Sequence, residues 1–330
     1  MSALRLTMGC TNYDRTRAVF DGRAPIEGVD LLSLALAPEE VFHRAFKFRE
    51  FDITELSLSS HTLMTARGDS EYIGLPVILS RVFRHSGIYI RTDRGIKSPA
   101  DLKGRRVGVP EYQMTANVWI RGILSDDYGV RAQDVQWLRG GLEEPGRGER
   151  APLTLPDDIK VEQVADDKTL SQMLADGEID ALITARAPTS FRRGAPNVDR
   201  MFPQYRKIEE EYYRRTKIFP PMHIMGVRRS LAEQYPWLPV SIYKSFLKAR
   251  DIALEELEEI AYYFVMLPWA LDDYKKAREV MPDDYWAYGL EPNRHTLETF
   301  CRFHHEQGIS KRLVAPEELF AESTLELSKV

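Results

Sequence analysis

The sequence predicts an α/β protein with doubly wound sheets and two domains. Strand-like and helix-like patterns alternate from the N-terminus, which is the order that packs helices on both faces of a sheet. The length of 330 residues corresponds to two domains at roughly 100–200 residues each. The composition, 43% hydrophobic and 29% charged, is typical of a globular protein with an ample core.

Net charge, cysteine content and the lack of long apolar runs argue against several classes of protein. The net charge is -5, and acids balance the basic residues along the whole chain, so we expect no nucleic-acid partner. Cys10 and Cys301 lie far apart, which favours neither a disulfide framework nor a cysteine metal cluster. No run reaches the roughly 18 apolar residues of a membrane helix, and the N-terminus runs into strand-like LRLTM without a signal pattern. We therefore predict a cytoplasmic protein with no membrane partner.

The N-terminal part predicts three strands separated by two helices. The elements are a strand at Leu4–Met8, a polar loop at Gly9–Asp14, a helix at Arg15–Phe20, a strand at Val29–Leu36, a helix at Pro38–Phe46 and a strand at Phe51–Leu58. Ligands of doubly wound sheets collect beyond the carboxyl ends of the strands. The loops Gly9–Asp14 and Ser57–Thr62 should therefore share one rim.

The rest of the chain predicts more strands, a long loop and a helical C-terminal part. The elements are extended chain at Pro76–Arg91, a strand at Arg106–Val109, strands at Val135–Leu138 and Lys160–Val164 around a loop at Gly140–Pro156, a helix and strand within Leu170–Ala185, extended chain from Asn197 through Pro220–Pro221, and helices around Val240–Leu257 and Leu297–His305.

The stretch Gly104–Leu124 predicts a strand, a turn and a helix with the buried residues Val118, Ile120, Ile123 and Leu124. Glu111, Tyr112, Gln113 and Thr115 precede or open that helix. A helix N-terminus carries unsatisfied N–H donors and about half a positive charge, so it suits a carboxylate or phosphate. An ordinary corner capped by its own polar residues is the alternative.

Two segments resemble the signature stretches of the type II periplasmic-binding-protein fold. They are IKSPADLKGRRVGVP, followed by a helix, and MLADGEIDALI. The resemblance implies two α/β domains joined by two crossings, with a ligand cleft between them. The first domain would run from Met1 to about Thr92 and over 204–330, including a helical C-terminal extension. The second would cover about Asp93–Pro203.

A narrower likeness is carried by GVPEYQMTANVWIRGIL, LITARAP and FPPMHIMGVRR. These segments are similar to those of the 4,5-dihydroxyphthalate decarboxylase family, which are cytoplasmic aromatic-acid decarboxylases on a binding-protein scaffold. The resemblance implies a carboxy-lyase that converts a hydroxylated aromatic carboxylic acid, foremost 4,5-dihydroxyphthalate to protocatechuate, by ring protonation and loss of carbon dioxide. The substrate would be a small aromatic carboxylate, and we expect no cofactor.

Acid–base groups for such a reaction are available near predicted strand ends. His61, His85 and His223 can exchange protons near neutrality, and Glu55 stands in an otherwise apolar strand, where a carboxylate is costly unless it is paired or functional. For each histidine a structural role is the alternative, and for Glu55 the alternative is a salt bridge. No grouping has the spacing of a zinc site, so we predict no metal.

Substrate contacts are predicted from residues that could bind carboxylates or ring hydroxyls. Arg81 and Arg186 could each make a bidentate contact with a carboxylate. The neutral donors are Tyr112, Gln113 and Thr115 in the second domain and Asn12, Ser57 and Ser60 in the first. Tyr13 and Tyr112 could instead pack on the ring or meet its hydroxyls.

Two other functions remain open at this point. One is a non-catalytic solute-binding or sensing protein for an aromatic or sulfonated anion, and the other is a different enzyme on the same scaffold, such as a pyrimidine-precursor synthase. Fold analogy alone does not establish a reaction. Apolar stripes in the C-terminal hundred residues further predict a homo-oligomer.

Overall fold

The structure is a computed structural model that describes residues 3–327. Its strands are β1 Leu4–Cys10, β2 Val29–Ala35, β3 Ile53–Ser57, β4 Tyr72–Arg81, β5 Ile88–Arg91, β6 Arg106–Val109, β7 Gln136–Arg139, β8 Val161–Gln163, β9 Ala181–Ile183, β10 Val198–Arg200 and β11 Pro221–Arg228. Its helices are α1 Asp14–Phe20, α2 Pro38–His43, α3 Leu58–Arg67, α4 Thr115–Tyr128, α5 Leu170–Asp176, α6 Thr189–Arg192, α7 Tyr205–Thr216, α8 Arg229–Gln234, α9 Leu238–Glu258, α10 Ala270–Val280 and α11 Arg294–Glu306. Among residues 3–327, no helix is long and apolar enough to cross a membrane.

The chain divides into two compact units. Of the described residues, the first unit comprises 3–81, 216–297 and 315–327, and the second comprises 82–215 and 298–314. The predicted domains place 82–92, 204–215 and 298–314 with the first unit instead. Packing explains the difference for the last segment, because Phe300 and Phe303 of α11 lie 5.4 and 5.7 Å from the Trp119 ring of α4.

The first unit is built on a five-stranded sheet with the order β2-β1-β3-β11-β4. β1 is parallel to β2 and β3, whereas β11 is antiparallel to both β3 and β4. The carboxyl ends of β1, β3 and β4 therefore lie at the same edge as the amino end of β11. At that edge His223 stands in register with Ser57 on one side and Ser80 on the other.

The second unit contains a six-stranded sheet with the order β10-β5-β9-β6-β7-β8. The strands β9, β6, β7 and β8 are parallel, while β5 pairs antiparallel with both β9 and β10. Trp119, Trp137 and Val109 are fully buried in this unit. Gly122 of α4 faces the Phe303 ring so closely that an added Cβ would collide with it.

Most predicted elements occur, and the α/β class with two sheets and a helical C-terminal part is confirmed. One local prediction is wrong. The chain after Asn197 is not extended throughout, because Tyr205–Thr216 forms the helix α7. The extended chain predicted at Pro220–Pro221 continues as the strand Pro221–Arg228 inside the first sheet. That strand brings His223 to the sheet edge.

Candidate active site

Three elements of the first unit place acidic, imidazole and phenol groups at the sheet edge. β3 carries Glu55, the amino end of β11 carries His223, and the loop after β1 carries Tyr13. The loop is held by its own hydrogen bonds, since the Thr16 hydroxyl donates to the Thr11 carbonyl at 2.8 Å and accepts from the Tyr13 N–H at 2.8 Å. The position of Tyr13 is therefore fixed by the start of α1.

The buried Glu55 carboxylate is the centre of this cluster. The His223 Nδ1 lies 2.7 Å from Glu55 Oε1, and the Tyr13 hydroxyl donates to the same oxygen at 2.8 Å. The second oxygen accepts the Thr11 backbone N–H at 2.9 Å, and the Cys10 thiol lies 3.9 Å from it. Both carboxylate oxygens are thus engaged, which makes a fully buried charge tolerable.

Burial and hydrogen bonding act on Glu55 in opposite directions. Burial alone would raise the pKa of its carboxyl, but the hydrogen bond and charge of His223, followed by the donors Thr11 and Tyr13, hold that pKa below its usual range. Burial and the adjacent carboxylate raise the pKa of Tyr13, and the same two causes raise the pKa of Cys10. Glu55 is therefore the anion of the cluster, while Tyr13 and Cys10 stay protonated.

The contacts of His223 define its tautomer. A carboxylate can only accept, so Nδ1 carries the proton that Glu55 binds. The Phe42 ring packs edge-on against the imidazole at 4.8 Å, and the side chain is 18% exposed. Within residues 3–327, the hydrogen-bond partners of the ring all use Nδ1. Nε2 is therefore the atom through which His223 can exchange a proton with a bound molecule.

Arg15 adds a positive charge beside this pair. Its guanidinium carbon lies 4.2 Å from the centre of the Tyr13 ring and 4.4 Å from that of Trp286. Its Nε donates to the Leu79 carbonyl at 2.5 Å and its Nη1 to Asp14 at 2.9 Å. The Trp286 indole N–H donates to the Ile78 carbonyl at 2.9 Å, so β4 holds both side chains in place.

The other predicted residues of the first unit fall into two groups. Asn12 is exposed on the loop that carries Tyr13, Ser57 is buried opposite His223, and Ser60 is buried one turn further along. His61 and Arg81 are instead used inside the fold. The His61 Nε2 lies 2.8 Å from the Leu319 carbonyl, and burial lowers the pKa of His61 to about 4.

The hydrogen bonds of the Arg81 guanidinium connect it to other segments of the first unit. Its guanidinium donates to the Phe219 carbonyl at 2.8 Å and to the Ala287 carbonyl at 3.1 Å, and it also bonds the Asn293 side chain. The side chain is buried. These contacts tie the end of β4 to the segments around Phe219 and Ala287, and they give the predicted carboxylate contact of Arg81 no support.

In the second unit His85 is buried against the rings of Phe202 and Tyr212. Its Nδ1 lies 4.0 Å from Glu209, and burial lowers the pKa of His85 to about 4 while it raises the pKa of Glu209 to about 7. Arg186 is exposed after β9. His85 and Arg186 both lie in the second unit, and their roles in catalysis and carboxylate binding stay predictions.

The predicted anion site before α4 already holds a carboxylate of the protein. Glu149, from the loop between β7 and β8, accepts the backbone N–H of Tyr112 at 2.6 Å and that of Gln113 at 3.3 Å. Its side chain is only 6% exposed. Next to it, Glu111 is buried and paired with Arg147 and Arg150. The loop therefore folds onto the turn instead of leaving it open.

Tyr112, Gln113 and Thr115 are also committed to the fold of the second unit. The Tyr112 hydroxyl donates to the Gln307 carbonyl at 3.1 Å, and the Arg121 guanidinium stacks on its ring at 3.8 Å. The Gln113 amide donates to the Ala151 carbonyl at 2.8 Å, and Thr115 is buried in the first turn of α4. Their roles as substrate contacts stay predictions that this geometry does not favour.

Sequence reasoning missed Arg15, Trp286, Thr11 and Glu149. Arg15 follows the polar loop by one residue and could have been found as a charged residue at a strand-to-helix corner. Trp286 lies far from the site in sequence, and nothing in its local pattern connects it with β4. Within residues 3–327, no group of three or more His, Cys, Asp or Glu side chains is arranged to hold a metal ion.

Comparison with known structures defines the class of the protein through its fold. The aliphatic sulphonate-binding protein SsuA of Escherichia coli matches with a TM-score of 0.52 at 13% identity, covering 97% of this chain and 93% of that one. The alkanesulfonate-binding SsuA of Xanthomonas axonopodis matches with a TM-score of 0.51 at 10% identity, covering 97% and 99%. The chain thus has a periplasmic-binding-protein-like fold, and it carries a carboxylate–histidine pair at a sheet edge.

Sequence comparison then identifies the family. The 4,5-dihydroxyphthalate decarboxylase of Comamonas testosteroni is 48% identical over 330 residues, which is 100% of both chains. That of Pseudomonas putida is 51% identical over 214 residues, covering 65% of this chain and 83% of the relative. Residues 59–144 also match the family described as NMT1/THI5 like. The chain belongs to the 4,5-dihydroxyphthalate decarboxylase family, which confirms the resemblance seen in its motifs.

Proposed function

We propose that this protein is a carboxy-lyase that converts 4,5-dihydroxyphthalate to 3,4-dihydroxybenzoate (protocatechuate) and carbon dioxide. Full-length similarity to a 4,5-dihydroxyphthalate decarboxylase supports the substrate class. The observation that carries the reaction is the partly exposed His223 imidazole, whose Nδ1 lies 2.7 Å from the buried Glu55 carboxylate. Such a pair can deliver a proton to a bound ring.

The proton transfer assigns a role to each member of the cluster. The protonated His223 donates from Nε2 to the ring carbon that bears the departing carboxylate. A C–H bond forms there, and the hydroxyl para to that carbon donates electron density to the cationic ring. Glu55 stabilises the imidazolium and orients it through Nδ1. Tyr13 and Thr11 keep the Glu55 carboxylate in place by donating to its oxygens.

Loss of carbon dioxide completes the reaction. The bond between the ring and the carboxylate breaks, its electron pair returns to the ring, and aromaticity is restored. His223 is then neutral and regains a proton from water. Atoms and charges balance without an external oxidant or reductant, so the reaction needs an acid, an electron-rich ring and a poorly solvated carboxylate.

The alternative is a protein that binds an aromatic or sulfonated anion without chemistry. The sulphonate-binding proteins with a similar fold favour it only at the level of fold, because identities of 13% and 10% establish the fold alone. A buried carboxylate on an imidazole is not required for anion binding and would oppose it electrostatically. We therefore favour the enzyme.

The experiment is turnover of 4,5-dihydroxyphthalate by the purified full-length protein in D2O. We expect one equivalent of carbon dioxide per 3,4-dihydroxybenzoate, with one deuterium on the ring carbon that lost its carboxylate. A denatured sample controls for spontaneous decarboxylation. Recovery of bound but unchanged substrate would support the binding protein instead, and no binding at all would exclude both functions.

A homo-oligomer is the second part of this proposal. The segment between α9 and α10 exposes large apolar side chains, including Tyr262, Met266 and Trp269 at 62%, 105% and 68% exposure. Contiguous exposed apolar surface on a soluble protein marks an interaction site. We propose that this segment contacts a second copy of the chain, as the apolar stripes in the sequence led us to expect.

Light scattering after size exclusion tests the oligomer. We expect a species above the 38.0 kDa of one chain and a shift toward the monomer in a Met266→Glu, Trp269→Glu double variant. A wild-type monomer at micromolar concentration would contradict the proposal. The cytoplasmic location likewise stays a prediction, and cell fractionation of the native host would test it.

A further inference from the structure

Arg15 is a positive charge beside Tyr13, the residue that donates to Glu55, and its side chain is held by several contacts. Two rings stack on its guanidinium, Tyr13 at 4.2 Å and Trp286 at 4.4 Å. Its Nε is committed to the Leu79 carbonyl. Stacking and a buried acceptor pre-organise an arginine fork, so little side-chain entropy remains to be lost on binding an anion.

The partners of Arg15 leave part of its binding capacity unused. Nη1 donates to Asp14, whose side chain is 42% exposed, while the Arg15 side chain is 16% exposed. Water screens such an ion pair, so it offsets only part of the charge. Within residues 3–327, Nη2 has no hydrogen-bond partner. A carboxylate could therefore bind to the Nη2 edge without disrupting the fold.

Tyr13 links Arg15 to the proton donor. The phenol ring is the one that stacks on the guanidinium, and its hydroxyl lies 3.4 Å from His223 Nδ1 and 2.8 Å from Glu55. Arg15 and His223 therefore contact the same tyrosine side chain, the first over its ring and the second at its hydroxyl. One aromatic ligand beside Tyr13 could thus meet both residues.

The site must bind the two carboxylates of the proposed substrate differently. In free 4,5-dihydroxyphthalate the two carboxylates are equivalent by symmetry, yet only one leaves. A cation on the departing carboxylate would stabilise the ground state and oppose the loss of neutral carbon dioxide. A cation on the other carboxylate stabilises the ground state and the transition state equally and positions the ring.

We infer that Arg15 binds the carboxylate that stays on the ring, and that it thereby makes the site specific for aromatic ortho-diacids. This inference rests on the proposed function for its account of which carboxylate remains. Trp286 also stacks on the guanidinium at 4.4 Å and, being partly exposed, borders the same position. Arg15 takes over the role that sequence analysis gave to Arg81 and Arg186.

Binding of unreactive ligands tests the inference without turnover. Phthalate lacks the ring hydroxyls that assist decarboxylation, and benzoate lacks the second carboxylate as well. By isothermal titration we expect the wild type to bind phthalate at least about tenfold more tightly than benzoate, because a charge-assisted contact contributes on the order of 1.5–3 kcal/mol. Arg15→Gln should lose this preference, and Arg15→Lys should keep part of it.

Arg17→Gln on the same helix is the matched control, and it should keep the full preference for phthalate. His223→Asn should also keep it, because His223 acts on the other end of the ring. Thermal unfolding of each variant shows whether it is folded. An Arg15→Gln protein that still prefers phthalate, or a wild type with no preference, would overturn the inference.

Turnover separates this inference from the proposed function. For 4,5-dihydroxyphthalate, Arg15→Gln should raise KM by about 10- to 100-fold and change kcat by less than about tenfold, as expected when a uniform binding contact is lost. If the wild type releases no carbon dioxide but Arg15→Gln still abolishes the phthalate preference, the diacid site stands and the reaction does not. A loss confined to kcat would contradict the role of Arg15 in binding.

Discussion

Two regions of the molecule satisfy the same sequence criteria for binding a carboxylate, but they use their polar groups differently. At the edge of the first sheet, Glu55 is saturated by His223, Tyr13 and Thr11, while His223 keeps Nε2 for a ligand. Before α4 in the second unit, Glu149 occupies the backbone donors. Within residues 3–327 the hydrogen-bond partners of His223 leave Nε2 unused, whereas the turn before α4 is closed by the protein itself.

The two buried glutamates also have pKa shifts of opposite sign. Glu55 is held below its usual range by the His223 contact and by its donors, which together outweigh burial. For Glu149 burial prevails over the hydrogen bonds from Tyr112 and Gln113, and it raises the pKa. Glu55 thus has His223 at 2.7 Å and the donors Thr11 and Tyr13, which together outweigh its burial. For Glu149 burial prevails even though the Arg139 guanidinium lies 3.7 Å from its carboxylate.

Replacement of His223 is expected to have the largest effect. His223→Asn removes the proposed proton donor, so kcat for 4,5-dihydroxyphthalate should fall by about 10²- to 10⁴-fold, the usual contribution of a general acid. His61→Asn and His85→Asn are the matched variants, because His61 and His85 are the other two histidines predicted as proton donors. Because His61 lies against the Leu319 carbonyl and His85 packs against the rings of Phe202 and Tyr212, we expect structural roles for both, and the kcat of each variant per folded molecule should stay within about threefold of wild type. An equal loss in the His61 or His85 variant would contradict the assignment.

Glu55→Gln is expected to have the next largest effect. The amide keeps the shape of the side chain but cannot stabilise an imidazolium, so kcat should fall by about 10- to 10³-fold. The direction of the Glu55 pKa adds a stability readout. A carboxyl whose pKa is lowered by folding stabilises the folded state at pH values above the unfolded-state pKa of about 4.3. This stabilisation is lost as the pH falls through the folded-state pKa. The excess stability of wild type over Glu55→Gln should therefore shrink in acid, and an excess that grows in acid would refute the pairing.

Glu149→Ala probes the closed region through stability rather than through activity. It leaves the Tyr112 and Gln113 N–H groups without their acceptor, which should cost about 1–3 kcal/mol in the free energy of unfolding. The pH trend should be opposite to that of Glu55, because a raised carboxyl pKa contributes stability below the unfolded-state pKa and loses it as pH rises through the folded-state value. Denaturant titrations at several pH values measure both effects.

The control for Glu149 is Glu144→Ala in the same loop. Glu144 is exposed, so its replacement should change the unfolding free energy by less than about 0.5 kcal/mol. If Glu149→Ala leaves stability unchanged but alters KM for 4,5-dihydroxyphthalate by more than tenfold, the turn before α4 takes part in substrate binding. That result would support the prediction from the sequence that Tyr112 and Gln113 contact the substrate.

The sequence was sufficient for the fold class, and it named some members of the candidate site. Periodicity identifies β1, β3 and α4, and the rule that ligands collect at strand carboxyl ends identifies Tyr13 and Glu55. It could not identify the pairing of Glu55 with His223, because they are 168 residues apart and meet only when β11 enters the sheet. A polar residue within an apolar strand pattern is readily found in the sequence. Whether another side chain already forms its hydrogen bonds depends on the tertiary structure.

Arg81 and Arg15 illustrate the same limit. Both are arginines near strand or loop ends, and sequence pattern gave the carboxylate role to Arg81. In the structure Arg81 is consumed by the carbonyl groups of Phe219 and Ala287. Arg15 instead stacks on Trp286, a contact that no local pattern reveals. Choosing between two arginines requires knowing which backbone acceptors each one meets.

Tyr13→Phe, which removes a single hydrogen bond to Glu55, is expected to have the smallest effect on kcat. Tyr13→Phe removes the hydroxyl that donates to Glu55 at 2.8 Å but keeps the ring that stacks on Arg15. Glu55 retains His223 and the Thr11 N–H, so kcat should fall by less than about tenfold, and affinity for phthalate should not change. Tyr13→Leu is the matched contrast, because it also loses the stacking surface and should weaken phthalate binding. A fall in kcat of Tyr13→Phe as large as that of His223→Asn would mean that the phenol, rather than the imidazole, delivers the proton.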